Sequence, residues 1–579
     1  MKKGFLFMLL LLVSKVSFGQ TVFQKEIDTV KSTHRTGGTF DTLSNIVQSF
    51  QSTFFISPNA TLLSPFQLYA SNGSTLHSFS DKNQALRFSA LPHLGFSYAF
   101  GAQGAQRLKV DFQEAFRHGL LLNLSFDKTK GNGFLRNDAF SFQQFNGELL
   151  RTGKQYSMDL RFSKEAIDRS WSNGLFDSIP ISGIALDLQT VRKENAHSMQ
   201  SLSALRFQQR FDFNQDSTIG FGLLTRHAFY EYKRDYQEVG DLTQQYSNVY
   251  WNSDSTQDRF HERSLSNDAG VFLDVSAVQL QSTLGYHLRQ WHDQQSYRDT
   301  AELWWKNEFS YRSNQFKLTH RNALNIAGAG RGITAQTTVL IPFTFLQLNL
   351  QHQLSSSLPE LMQRNYQSNN VQYQLNSLEK QWNQSFKALA SKSFKAFEFT
   401  FAYQLLQFRK VYIFDQQAES WRNDLAASTG VGQSLRATVA WTYKGLQIKP
   451  AYQWTHFSSG LNFQPEQQSS VRVQWKGGVF KAKKLHMLFA ADVQHFSPFK
   501  QLNFIPQMGV FDLTQTSSLY MNSFVNVAFT TALEVETFRF FVRIDNIGRF
   551  WTPSTTAFVS HYAFPSMQIK IGLTWDFWN

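Results

Sequence analysis

No cysteine occurs among the 579 residues. That excludes disulfide stapling, thiolate zinc ligands, a cysteine nucleophile and a lipidated N-terminal cysteine. Long hydrophobic runs are missing too. After the first twenty residues, nothing approaches the ~18 consecutive apolar residues that a helical membrane span needs. There is no G-x-S-x-G elbow, no H-E-x-x-H pair and no Walker loop. The chain is therefore not expected to be an enzyme or to hold a metal or cofactor. A Ser/His/Asp set assembled across distant strands would escape such motifs, but the fifteen histidines are scattered.

The N-terminal MKKGFLFMLLLLVSKVSFGQ sets Lys2 and Lys3 before an apolar run from Phe5 to Val13, then the small residues Ser17 and Gly19. This is the order of a secretory signal peptide, with cleavage expected before Gln20. The run is too short for an uncleaved spanning anchor, since a helix needs about 20 apolar residues to cross a bilayer. The formal charge of +13 would fall to about +10 with the loss of Lys2, Lys3 and Lys15. An exported chain does not normally meet nucleic acid, so this charge is read as lumen lining or as contact with anionic lipid heads.

What is abundant is aromatic: 57 Phe, 19 Tyr and 13 Trp make up 15% of the chain, which excludes disorder. Mean hydropathy is nevertheless −0.34, the value of a soluble protein. A wide β-barrel reconciles the two, because only alternate strand residues need be apolar.

The alternation is plainest at the end of the chain, in MQIKIGLTWDFWN. Met567, Ile569, Ile571, Leu573, Trp575 and Phe577 alternate with Gln568, Lys570, Gly572, Thr574 and Asp576. Period two is the mark of a strand with two different surroundings. It recurs in RLKVDFQ, LLLNLSFD, YSMDLRFS, FLQLNLQHQL, FEFTFAYQL, GLQIKPAYQWT and TFRFFVRID, where Phe541 breaks the polar face. A large sandwich would bury some strands on both faces and show continuous Val and Ile runs, and such runs are scarce. The expected fold is all-β, a transmembrane antiparallel barrel of roughly 18–24 strands, best counted as 22 and even in number. Its long loops would be extracellular and its short turns periplasmic.

The expected organisation is a signal peptide over 1–19, a barrel over 91–579, and between them a segment, 20–90, that is a periplasmic lead, a plug or the first strands. Lys128 to Asn132 and Lys444 with Gly445 look like turns. Glu165 to Ser198 and Asp235 to Glu262, polar and rich in Asn, Asp, Gln and Ser, look like long loops.

Lys109, Asp111, Arg161, Glu398, Lys449, Arg539, Arg543 and Lys570 occupy polar faces and are pore-lining candidates. Basic rings favour anions, but Asp159, Asp545 and Asp576 share those faces. A mixed-charge, weakly selective lumen is thus favoured over a purely cationic one. Trp304, Trp305, Trp441, Trp454, Trp575 and Trp578 end strands and suit an interfacial girdle, although aromatics favour strands anyway. His227, His320 and His352 share parity with apolar neighbours, which places them at the lipid surface rather than in a cluster. His197 and His261, near Glu194 and Glu262, give only a faint hint of metal binding.

The tail FFVRIDNIGRFW, then HYAFP, then MQIKIGLTWDFWN, resembles the C-terminal end of the putative beta-barrel porin family of Gram-negative outer membranes. The matching features fall on Phe541 to Asp545, on Tyr562 with Pro565, and on Ile571 to Phe577. GLLLNLSFDKTKGNGFLRNDAFSFQQFNGEL with QYSMDLRFS, residues 119 to 163, is similar to the same family. The resemblance implies an outer-membrane barrel that passes solutes, and it supplies no catalytic residues to carry over. It also implies that Phe577 and Trp578 belong to a signal read by the barrel-assembly machinery.

The expected function is therefore an outer-membrane porin passing small solutes through a polar, mixed-charge lumen. Its partners would be outer-membrane lipid, the assembly machinery and the solutes themselves. The alternative is a non-conducting barrel that scaffolds surface loops or partner proteins. A TonB-dependent receptor needs a plug of well over a hundred residues, more than the 70 or so before residue 90.

Overall fold

The computed structural model describes residues 91–578, apart from short segments at 117–118, 154, 178–179, 182–183, 215–218, 329, 331, 376, 459–464, 481–483, 551–558 and 563–564. The expectations for the signal peptide and for residues 20–90 lie outside the described residues.

Twenty-two strands form one antiparallel sheet, from His93–Gly101 to Gln568–Trp578. Each strand pairs with its sequence neighbour in the barrel, and the first pairs with the last from His93↔Trp578 to Gly101↔Lys570. The sheet closes on itself and leaves no edge. The count and the closure match the expected fold.

One end of the barrel carries the tight connections. Four two-residue turns start on a residue of positive φ, at Ser276 (48°), Lys395 (49°), Lys444 (44°) and Glu536 (52°). Turns of this kind match the right-handed twist of the strands they join. At Lys444 the next residue is Gly445 with φ 85°, and an added Cβ there would lie 2.2 Å from the Lys476 carbonyl oxygen. The other end carries connections as long as 497–523, with hairpins of their own at Asn365–Gln374, Ile413–Arg422 and Phe499–Met521.

The expected loops are partly strand. Glu165 and its successors run in a strand that ends at Trp171, and the next strand begins at Ala196, so the connection is 172–195. Asp235 likewise lies in the strand Ile219–Val239, and Ser255–Glu262 begin the strand Ser255–Val275. Lys128 to Gly131 are strand too, and the connection there is 132–139. In each case the strand continues past the membrane, where pairing no longer requires apolar side chains.

The belt can be measured on Ile219–Val239. Ile219, Phe221, Leu223 and Phe229 point outward and are 39–47% exposed. At ~3.3 Å per residue and a tilt near 40°, they span about 25 Å, the height of the hydrocarbon band. Beyond them the outward positions turn polar at Glu231, Lys233 and Asp235. Glu231 accepts from Arg263 at 3.0 Å and pairs with Lys233 at 3.1 Å.

Inside, Phe541 is fully buried beside Ala99, Ala490 and Ala532. Its cross-strand partner is Gly572, which in turn opposes Ala99. The break in the TFRFFVRID pattern is thus a ring seated on a glycine in the inner wall.

Candidate functional site

The candidate site is the lumen together with the loops that close one end of it. Its wall is built by period two: each strand contributes alternate side chains to the interior.

Several sequence candidates meet there in ion pairs. Lys109 lies 2.7 Å from Asp111 on its own strand. Arg161 reaches Glu148 at 3.0 Å and Asp159 at 2.8 Å. Arg539 meets Glu534 at 2.9 Å, which also takes Lys476 at 3.1 Å. Arg543 bridges Asp545 at 2.7 Å and Asp492 at 2.9 Å, and Lys570 holds Asp545 at 2.6 Å. This last group is buried, with side-chain exposures of 5% or less. Buried charges persist only when paired, and here two cations and two anions from three strands neutralise one another.

Glu398 and Lys449 are different. Both are exposed on the inward face near the short-turn end and make no ion pair among the described residues. Two residues that the sequence reading passed over join them. Lys387 and Arg436 are exposed on the two strands that flank that of Glu398, opposite Gln351, Gln404 and Ala402. They too have no ion pair among the described residues. The signal was present in QSFKALA and QSLRATV, where each cation alternates with apolar neighbours. Around them the wall carries Gln336, Gln353, Gln404 and Gln453, which makes this sector wet and cationic.

The aromatic candidates divide by face. Trp575 and Phe577 are outward, 43% and 40% exposed. Trp575 meets Phe538 edge-on at 5.7 Å. Trp454 is also outward and stacks on His456 at 6.0 Å. Trp578 shares parity with Lys570 and Asp576 instead, and its ring lies 4.2 Å from His93 on the inner side. Trp304 faces inward as well, donating to Glu302 at 3.0 Å. The two loop histidines are strand residues paired with carboxylates, His197 with Asp168 at 2.6 Å and His261 with Glu231 at 3.0 Å. No group of three or more metal-ligating side chains occurs among the described residues.

At the long-loop end the interior is filled. The hairpin Phe499–Met521 is rooted between the nineteenth and twentieth barrel strands, yet its tip contacts the seventh and eighth, almost diametrically opposite. There the Arg234 guanidinium donates to the Pro506 carbonyl. Gln507 donates to Asp258 at 2.6 Å and to Ser368 at 3.0 Å. Met508 and Val510 pack with Tyr232, Phe260 and Trp291 of the wall and with Tyr366, Tyr373, Phe414 and Trp421 of the two other hairpins. A second cluster joins Trp171, Leu175, Val191, Phe408, Ile413, Phe504 and Tyr562, with Trp171 stacked on Phe504 at 4.9 Å.

Charges tie the loops as well. Lys193 is enclosed by Glu238 at 2.5 Å, Gln245 at 3.1 Å and the Tyr246 hydroxyl at 2.8 Å. Burial, with the nearby Arg192 charge, holds the Lys193 pKa below its ordinary value despite the Glu238 carboxylate. Glu379 pairs with Lys410 at 2.9 Å and accepts from Asn423 at 3.0 Å, joining two loops. Those hydrogen bonds, with the Lys410 charge, hold its carboxyl below the usual range.

The geometry is thus a polar inner wall with exposed charged side chains toward the short-turn end, and a packed dome over the other end.

Solved structures share this architecture. The FrpB iron transporter from Neisseria meningitidis superposes with a TM-score of 0.59 at 7% identity, over 85% of this chain and 83% of that one. The copper transporter OprC gives 0.60 at 7% identity, over 85% and 81%. P. aeruginosa FpvA bound to pyoverdines gives 0.57 at 11% identity, over 84% and 72%. At such identities the likeness is one of fold. No curated protein matches the chain. Residues 20–579 do match the family described as "Putative porin", and this chain belongs to that family.

Proposed function

We propose that this protein is an outer-membrane transport barrel that passes small hydrophilic solutes through its lumen, with a preference for anions. The long-loop dome would face the cell exterior and the short turns the periplasm. One observation carries the reading: Lys387, Arg436 and Lys449, three cations to the one carboxylate of Glu398, are exposed on an amide-rich inner wall without ion pairs among the described residues, while most other inward charges are neutralised. Unneutralised cations in a polar passage lower the barrier for anions and raise it for cations. Family membership supports transport, and the shared fold of an iron and a copper transporter is consistent with it.

The packed dome favours gated over free passage, because a solute from that side must displace the Phe499–Met521 hairpin. Single-channel recording in planar bilayers tests this directly. The wild type should open rarely. A Gln507→Ala, Asp258→Asn variant, which unpins the hairpin tip, should open more often at the same unit conductance. If neither protein conducts in any salt or sugar tested, the reading fails and the scaffold alternative replaces it.

A further inference from the structure

Lipid-facing positions around the closing seam are apolar: Phe540, Leu573 and Tyr98 stand side by side across three strands. Half-way round the barrel, the same face is crossed by a polar row. Asn307, Asn322, His320, Thr337, His352 and Gln384 share outward parity with Phe309, Leu318, Val339, Leu350 and Phe386 on five consecutive barrel strands. All six are partly exposed.

Hydrogen bonds give the row a direction. Asn307 donates to Asn322 Oδ1 at 3.1 Å, and Asn322 donates to His320 Nε2 at 3.4 Å. With Nε2 accepting, His320 carries its proton on Nδ1 and donates to Thr337 Oγ1 at 2.9 Å. From the other side Gln384 donates to His352 Nε2 at 2.8 Å. Two donors are left over, the His352 Nδ1–H and the Thr337 hydroxyl hydrogen. These residues oppose each other across the strand pair, and neither donor has an acceptor among the described residues.

Their depth makes this costly. The strand Ile333–Pro342 has 10 residues, about the 9–11 that a tilted strand needs to cross the hydrocarbon. Thr337 is at its centre and so lies near the bilayer midplane. No water is available there to satisfy a stray donor, and polar side chains at that depth normally meet protein.

We infer that this sector is an intramembrane interface through which two copies of the chain associate around a two-fold axis near Thr337. His, Asn, Gln and Thr each offer both a donor and an acceptor, so the row complements itself when rotated onto a second copy. Ala335, Ala388 and Ala390 lie on the same face and flatten it, which lets two backbones approach closely. The rim is also low here. The strands Lys317–Gly328, Ile333–Pro342 and Gln347–Ser357 have 12, 10 and 11 residues, against 21 for Ile219–Val239. Nothing on these strands overhangs the membrane to hold a second barrel away. The inference concerns the outer wall alone and stands or falls apart from conduction.

The absence of native cysteine makes the test clean. Thr337→Cys in outer membranes, oxidised with copper phenanthroline, should give a disulfide-linked dimer as the main product on non-reducing gels. Leu573→Cys, on the far side, should remain monomeric. A His320→Leu, Thr337→Val, His352→Leu variant should keep its folded-state gel mobility, while its light-scattering mass in mild detergent drops from two chains to one. The inference is overturned by no dimer from Thr337→Cys, by equal dimer from both cysteine positions, or by a folded triple variant that keeps the mass of two chains. A wild-type mass of one or three chains overturns it as well.

Discussion

Adding one methyl group at the closing seam should measurably weaken the barrel. In Gly572→Ala the new Cβ would stand 2.5 Å from Phe541 Cζ and 2.7 Å from Ala99 Cβ. Carbon atoms in contact prefer about 3.5–4.0 Å, so roughly 1 Å of movement is required. Phe541 cannot easily provide it, since its ring is wholly buried among Ala99, Leu488, Ala490 and Ala532. Ala99 belongs to the strand that closes the barrel, so displacing it loosens the ladder between the first and last strands. Overpacking of this kind costs about 1–3 kcal/mol. Equilibrium urea unfolding of refolded protein in vesicles, followed by tryptophan fluorescence, would read that loss. Phe541→Leu should be destabilising alone, through the void it leaves, but should rescue Gly572→Ala in the double variant. The coupling energy expected for such touching groups is about 0.5–3 kcal/mol. A Gly572→Ala protein within about 0.5 kcal/mol of wild type, the usual effect of an uncritical substitution, would refute the reasoning. So would strictly additive behaviour of the pair.

Two further outcomes follow from the site. Replacing Lys387, Arg436 and Lys449 together by glutamate should move the reversal potential in a potassium chloride gradient from the anion-selective to the cation-selective sign. An unchanged sign would show that these residues do not border the conducting path. Glu379, held below its ordinary pKa of 4.5, links two dome loops through Lys410. A lowered carboxyl contributes stability that is fully present above 4.5 and is lost as pH falls through its lowered value. Hydrogen exchange in 377–380 and 410–424 should therefore accelerate as pH falls below 4.5, after correction for intrinsic rates, and Glu379→Gln should remove that acceleration.

Strand parity was legible from the residues alone, because lipid on one side and water on the other impose opposite chemistry on neighbours in sequence. MQIKIGLTWDFWN and FEFTFAYQL display it without help from the rest of the chain. Strand ends were less legible. Past the hydrocarbon the outward residues become Glu231, Lys233 and Asp235, and the alternation fades although the ladder continues. Phe541 departs from the pattern because Gly572 stands opposite it, a match set by register across a long connection. The dome was hidden for the same reason: Met508, Trp421 and Tyr366 come from three separate loops, and only the closed ring brings them together. The unpaired cations were half-visible. The alternation marks Lys387 and Arg436 as inward, but the absence of a carboxylate partner is a fact about neighbouring strands.

Among the described residues the three dome hairpins form no ladder with the ring of twenty-two, and Leu502 makes one isolated bridge to Val559 of another loop. Lifting them would break side-chain contacts without unzipping a single rung of the wall. Cover and cylinder therefore share no ladder, and what joins them, the Arg234–Pro506 and Gln507–Asp258 contacts with the packing around Met508, can be altered without touching the backbone pairing of the wall.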